Sequence, residues 1–134
     1  MVVEDDGDIR SAYVFELKQA GFEVSQASDG AEAVPVFERV HPDVVLLDML
    51  MPGLSGLDFL RSANITGRFP NTRIVALSNI DTPRVVQQAK ELGVSQYVLK
   101  VNTTPKQVVE ELRQSLAAPA SVPVNPPKES NKDK

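Results

Sequence analysis

The sequence predicts an α/β fold, a doubly wound (βα)5 arrangement of five strands around a parallel sheet, and three observations predict it. Val44-Val45-Leu46-Leu47 is an apolar run too short for a helix, ended by Asp48 and then by Pro52-Gly53, as expected of a strand buried on both faces. Arg73-Ile74-Val75-Ala76-Leu77-Ser78 repeats that pattern and again ends in a polar residue. Between such runs lie segments whose apolar residues recur at spacings of three and four, so helices cross over on both faces by right-handed connections.

Val2-Val3 reads as the end of a first strand, followed at once by Glu4-Asp5-Asp6. That strand is short: either it is clipped at a cost in stability, or the numbering starts inside the natural protein. Asp8 is expected to cap a helix with Ile9, Ala12, Tyr13, Leu17 and Ala20 inward and Gly21 closing it. Phe22 to Ala27 alternates like a strand with one wet face. Asp29-Gly30 turns the chain into a helix over 31–40, where Pro35 removes a backbone donor at a cost of about 3 kcal/mol, so this helix is expected to be short or kinked. Gly56 to Ser62 suggests a third helix with Leu57 and Leu60 on one face, and 64–72 reads as loop. Thr82-Pro83 opens a fourth helix that Gly93 ends, and Gln96-Tyr97-Val98-Leu99-Lys100 is a fifth strand. Thr104-Pro105-Lys106-Gln107 forms a capping box leading into Val108, Val109, Leu112 and Leu116.

The 134 residues make one domain over 1–118, and from Pro119 the Pro- and Lys-containing stretch 119–134 has no apolar period and is expected to be disordered. A net charge of -4 with five Phe, two Tyr and no Trp argues against direct nucleic-acid contact, which needs a basic stripe and stacking rings. No cysteine is present, which excludes disulfides and thiolate metal sites, and the single His41, beside Pro42, is expected at the surface. No apolar run approaches the ~20 residues of a membrane span, so no membrane partner is expected and a cytoplasmic protein is.

The polar residues at the strand ends are Glu4, Asp5 and Asp6 after the first, Asp48 after the third, Ser78 after the fourth and Lys100 after the fifth. In a parallel sheet these point to one rim, where ligands bind. Carboxylates gathered there raise one another's pKa unless a divalent cation shares them, and an oxygen-only donor set suits Mg²⁺. A hydroxyl and an ammonium opposite complete a cradle for a phosphoryl group, with Asp48 the candidate nucleophile.

With Val-Val-Glu-Asp-Asp, Leu-Leu-Asp-Met-Leu-Met-Pro-Gly, Leu-Ser and Tyr-Val-Leu-Lys in this order, the chain resembles the receiver domain of two-component response regulators, of the chemotaxis-regulator kind. The likeness runs from residue 2 to about 117, with 30 positions from Asp48 to Ser78 and 22 from Ser78 to Lys100. It implies a flavodoxin-like sheet of strand order 2-1-3-4-5. It implies that Asp48 accepts a phosphoryl group from a phosphohistidine of a sensor histidine kinase or phosphotransfer protein. Asp5 and Asp48 would ligate Mg²⁺ directly, Glu4 through a water, and Leu50 by its backbone carbonyl. Ser78 and Lys100 would meet the phosphoryl oxygens, and Ser78 and Tyr97 would act as the switch. The face made by the fourth helix, fifth strand and fifth helix would then engage a downstream protein, a missing effector domain or a second copy in a phosphorylation-dependent homodimer. Such a protein is no enzyme beyond its own phosphoryl transfer and hydrolysis.

The chain departs from the family's pattern at Val101, where proline is usual, so a trans Lys100–Val101 peptide and a reshaped loop are expected. Asn79 is larger than the usual alanine or glycine and is expected to narrow the way in for phosphodonors. Leu50 and Ile80 are apolar and flank the path of a hydrolytic water, so slow self-dephosphorylation is expected. The alternative is a degenerate receiver acting as a phosphorylation-independent interaction module. A haloacid-dehalogenase-like phosphatase would want an acid where Leu50 stands, and a flavodoxin-like nucleotide module would want a Gly- or Ser/Thr-rich loop where the acids stand. The output remains open between a stand-alone receiver and a piece of a longer regulator.

Overall fold

The strand ends converge because the apolar runs pair in parallel register. The computed structural model describes residues 1–51, 53, 55–80 and 82–117; Pro52 of the expected turn and the stretch 119–134 lie outside the described residues. Strands β1 (Val2–Val3), β2 (Gln26–Ala27), β3 (Val44–Asp48), β4 (Arg73–Ser78) and β5 (Gln96–Leu99) form one parallel sheet in the order β2-β1-β3-β4-β5, as expected. The helices are α1 (Gly7–Gln19), α2 (Gly30–Val40), α3 (Gly56–Ala63), the single turn α4 (Ile65–Arg68), α5 (Pro83–Glu91) and α6 (Pro105–Ala117).

Alternation along the strands divides the core in two. Val3, Val45, Leu47, Ile74 and Ala76 face α2, α3 and α5 through Ala33, Phe37, Phe59, Leu60 and Ala89. Val2, Val44, Leu46, Val75 and Leu77 face α1 and α6 through Tyr13, Leu17, Val108, Val109 and Leu112. Every residue of β3 is buried, which is why its sequence shows no polar alternation.

Several expectations are corrected. Asp6, not Asp8, caps α1: its Oδ1 accepts from the N–H groups of Asp8 and Ile9 at 2.9 and 3.0 Å. The expected strand over 22–27 shrinks to Gln26–Ala27, because β1 offers only Val2 and Val3 to pair with it. The helix expected over 31–40 runs through Pro35 as Gly30–Val40, 11 residues, one residue longer than expected. Pro35 is exposed on α2 while Ala33 and Phe37 seal into the core, and that burial offsets the lost hydrogen bond. The expected loop 64–72 contains α4, whose first residue, Ile65, is buried. β5 ends at Leu99, so Lys100 begins a short 3₁₀ turn, Lys100–Asn102. There are no cis peptide bonds among the described residues, in line with the trans bond expected before Val101.

The capping box before α6 is formed: Thr104 Oγ1 accepts from Gln107 N at 3.2 Å, and Gln107 Oε1 accepts from Thr104 N at 2.9 Å. Thr82 stands at the cap of α5 without a side-chain capping bond. His41 is exposed, as expected, and tilts against Phe69. Phe37 meets Phe59 and Phe69 edge-on with centroids 6.3 and 5.0 Å apart. Phe37→Ala is therefore expected to cost about 4 kcal/mol, seen as a lower urea midpoint at unchanged slope; a loss under about 1 kcal/mol would contradict this packing.

Candidate functional site

The buried polar residues among those described are Glu4, Asp48 and Ser78, and all three lie at the carboxyl ends of strands. Asp48 is the last residue of β3, level with Leu77, and Ser78 is the last of β4, level with Leu99. Lys100 follows β5 directly, so one turn of backbone brings its ammonium over the same rim.

Lys100 Nζ lies 2.9 Å from Glu4 Oε1 and 3.3 Å from Asp48 Oδ1, bridging two carboxylates 1% and 4% exposed. Carboxylate oxygens of Glu4, Asp5 and Asp48 come within 4.8 Å of one another, with Asp5 exposed between its buried neighbours. Leu50 donates its backbone N–H to Asp48 Oδ1 at 3.1 Å, while its side chain stands 66% exposed. Ser78 Oγ accepts from Ile80 N at 2.9 Å, and the Tyr97 hydroxyl donates to Ile80 O at 2.7 Å. The structure thus brings Glu4, Asp5, Asp48 and Lys100 together and joins Ser78 and Tyr97 through one residue, Ile80. Asn79 is exposed beside Ser78, and Val101 is 75% exposed beside Lys100.

Burial and the adjoining Glu4 carboxylate push the Asp48 carboxyl up to about 7, against the opposing pull of the Leu50 N–H and the Lys100 ammonium. Burial alone would lower the Lys100 ammonium, but its hydrogen bond to Glu4 and the charges of Asp48 and Glu4 outweigh this and hold it above its ordinary value. Three carboxylates against one ammonium leave a surplus of negative charge that a divalent cation would neutralise. The donors are all hard oxygens, two of them buried and fixed, which fits Mg²⁺.

The contacts of two residues were not legible in the sequence. Arg10 donates to the Glu4 carbonyl oxygen at 2.8 Å and to Gln26 Oε1 at 3.1 Å. Ile80 is used through its peptide atoms, which no residue type announces. The run of three acids held a signal for the cap: only the last, Asp6, adjoins the helix start.

Residues 1–113 match the family model described as "Response regulator receiver domain". The chain is 36% identical over 101 residues to the sensory transduction protein RegX3 of Mycobacterium tuberculosis, covering 75% of this chain and 43% of that one. It is 31% identical over 116 residues to the DNA-binding response regulator MtrA of Mycobacterium leprae, covering 87% and 50%. The chain thus spans about half the length of the curated relatives it matches. Among solved structures, the chemotaxis protein CheY4 of Vibrio cholerae superposes with a TM-score of 0.76 at 27% identity, covering 84% of this chain and 93% of that one. The N-terminal domain of an uncharacterized Wolinella succinogenes protein gives 0.74 at 30% identity, covering 84% and 89%. No helix among the described residues is long and apolar enough to cross a membrane.

Proposed function

Because this chain belongs to the response regulator receiver domain family, we propose that it accepts a phosphoryl group on Asp48 from a phosphohistidine of a sensor kinase or phosphotransfer protein. The observation that carries the reading is the buried Asp48 carboxylate, 3.3 Å from the Lys100 ammonium at the rim where Glu4 and Asp5 converge.

In the transfer, an Asp48 carboxylate oxygen attacks phosphorus in line as the phosphorus–nitrogen bond to the donor imidazole breaks, and the leaving nitrogen takes up a proton. A cation held by Asp5, Asp48 and the Leu50 carbonyl, and by Glu4 through water, would supply positive charge to the phosphoryl oxygens. Lys100 offsets charge from the other side, and its place between Glu4 and Asp48 fixes it before the donor arrives. In this reading Ser78 turns its hydroxyl toward a phosphoryl oxygen, and a turn that carries Oγ away breaks the bond it accepts from Ile80 N. Ile80 O is the acceptor for Tyr97, so the same event reaches the aromatic on β5. The readout is the face made by α5, β5 and α6, the expected fourth and fifth helices once the extra turn α4 is counted. Its partner is a downstream protein, an effector domain of the same protein, or a second copy. The receiver itself makes no nucleic-acid contact in this reading, works in the cytoplasm, and catalyses only its own phosphorylation and hydrolysis.

The chemistry is tested by labelling the chain with radioactive phosphoramidate in Mg²⁺ and treating it with neutral hydroxylamine, which cleaves acyl phosphates. Loss of label is expected; label that survives would put the phosphoryl group on a hydroxyl and overturn the assignment of Asp48.

Leu50, 66% exposed, and half-buried Ile80 offer no polar atom of their side chains to orient an attacking water. The aspartyl phosphate is therefore expected to last minutes to hours, and Leu50→Asn to shorten that by about tenfold or more by positioning the water. A wild-type lifetime of seconds, followed by mass spectrometry, would contradict this.

A further inference from the structure

Glu4 is held at all four of its polar positions. Its N–H donates to Ala27 O at 3.1 Å, and its carboxylate oxygens accept from Lys100 Nζ at 2.9 Å and from Asp6 N at 3.2 Å. The fourth, its carbonyl oxygen, accepts from Arg10 Nη1 at 2.8 Å. This last contact fixes the plane of the Glu4–Asp5 peptide, and with it the direction in which the exposed Asp5 leaves the strand. Arg10 is itself anchored: its Nε donates to Gln26 Oε1 on β2 at 3.1 Å. One guanidinium therefore ties α1 and β2 to the peptide that presents Asp5 to Glu4 and Asp48.

We propose that Arg10 is a positioning residue for the acidic site, holding the Glu4–Asp5 peptide so that the Asp5 carboxylate stands ready for a divalent cation. The inference rests on the functional reading above. Electrostatics and positioning here predict opposite signs. As a nearby positive charge Arg10 repels a cation, so deleting its charge alone would tighten cation binding. As an outer partner that orients a ligand, its loss would weaken binding, and such losses run to about 10–100-fold.

The test is titration calorimetry of MgCl₂ into the full chain at neutral pH, for wild type, Arg10→Gln, Arg10→Lys and Gln26→Leu. Arg10→Gln is expected to bind about tenfold more weakly, and Arg10→Lys to recover part of the loss by reaching the Glu4 carbonyl with one donor. Gln26→Leu, which cuts only the outer tether, is expected to weaken binding by a smaller factor and decides the matter if Arg10→Gln does not fold. In phosphorylation from phosphoramidate, the half-saturating Mg²⁺ concentration of Arg10→Gln should rise while the rate at saturating Mg²⁺ stays within a factor of about three of wild type. Arg10→Gln or Gln26→Leu binding Mg²⁺ as tightly as wild type, or more tightly, overturns the inference alone. Failure of the wild type to bind Mg²⁺ overturns the functional reading and this inference with it.

Discussion

Lys100→Ala is expected to slow phosphorylation of Asp48 by about 10²–10³-fold, the usual loss when one preorganised donor to a developing anion is removed. The ammonium sits between Glu4 Oε1 at 2.9 Å and Asp48 Oδ1 at 3.3 Å, so it is in place before the phosphoryl group arrives. Its removal acts twice. It takes away a charge that the transferring oxygens would meet, and it leaves two nearly dry carboxylates facing each other without a cation from the protein. Without metal, the Asp48 carboxyl, already pushed up to about 7 by burial and Glu4 against the pull of Lys100, would rise further. Lys100→Arg keeps the charge but replaces a point ammonium with a planar fork of different donor geometry, so only partial recovery is expected. Rapid-quench rates with phosphoramidate at saturating Mg²⁺ measure this; a rate for Lys100→Ala within about threefold of wild type would remove Lys100 from the site.

Asp48→Asn is expected to abolish phosphorylation and also to change how stability depends on pH. Without metal, Asp48 has its folded pKa raised to about 7 from an ordinary 3.8, so the folded state holds the proton more tightly than the unfolded one. The resulting contribution favours folding at low pH, is lost progressively as pH rises from about 4 through about 7, and is absent above. The amide does not titrate. Urea unfolding in a chelator should therefore show wild type losing stability between pH 4 and pH 8 by more than Asp48→Asn does. Mg²⁺ should restore the wild type at pH 8, because the carboxylate it needs is by then formed. Parallel pH profiles for the two proteins would contradict the burial and Glu4 contact that raise this group.

The fold was legible because its strongest signals are local and redundant. Val44–Leu47 and Ile74–Leu77 are continuous apolar runs with polar ends, and they form the central strand β3 and its neighbour β4. Where the sequence misled, a partner elsewhere decided. Phe22 to Ser25 alternates correctly for a strand, yet only Gln26 and Ala27 pair, because pairing is limited by the two residues of β1. Pro35 reads as shortening or kinking its helix, yet Phe37 two residues on is fully buried between aromatic rings, and α2 runs on to Val40. Ile65 and its turn of helix looked like loop because a single turn has no period to detect.

At the site, Glu4, Asp5, Asp48 and Lys100 were legible because charged side chains at strand ends can only gather at one rim. Their spacing supplied the rest. The tethers made by Arg10 and Ile80 were not legible, since both run through backbone atoms whose partners are set by the three-dimensional approach of β1, α1 and β4. Ser78 and Tyr97 could be named as a pair, but not the peptide that links them.

The central claim is that Asp48 is a phosphoryl acceptor served by the acids and the lysine around it. The most direct measurement is intact mass after incubation with acetyl phosphate and Mg²⁺, beside an Asp48→Ala control and a sample in chelator. A gain of one phosphoryl group in the wild type, absent from both others, is the predicted result. A folded wild-type protein that gains no mass, or an Asp48→Ala variant that gains as much, would contradict the account; the first outcome would leave a receiver that acts through surface contacts without phosphorylation.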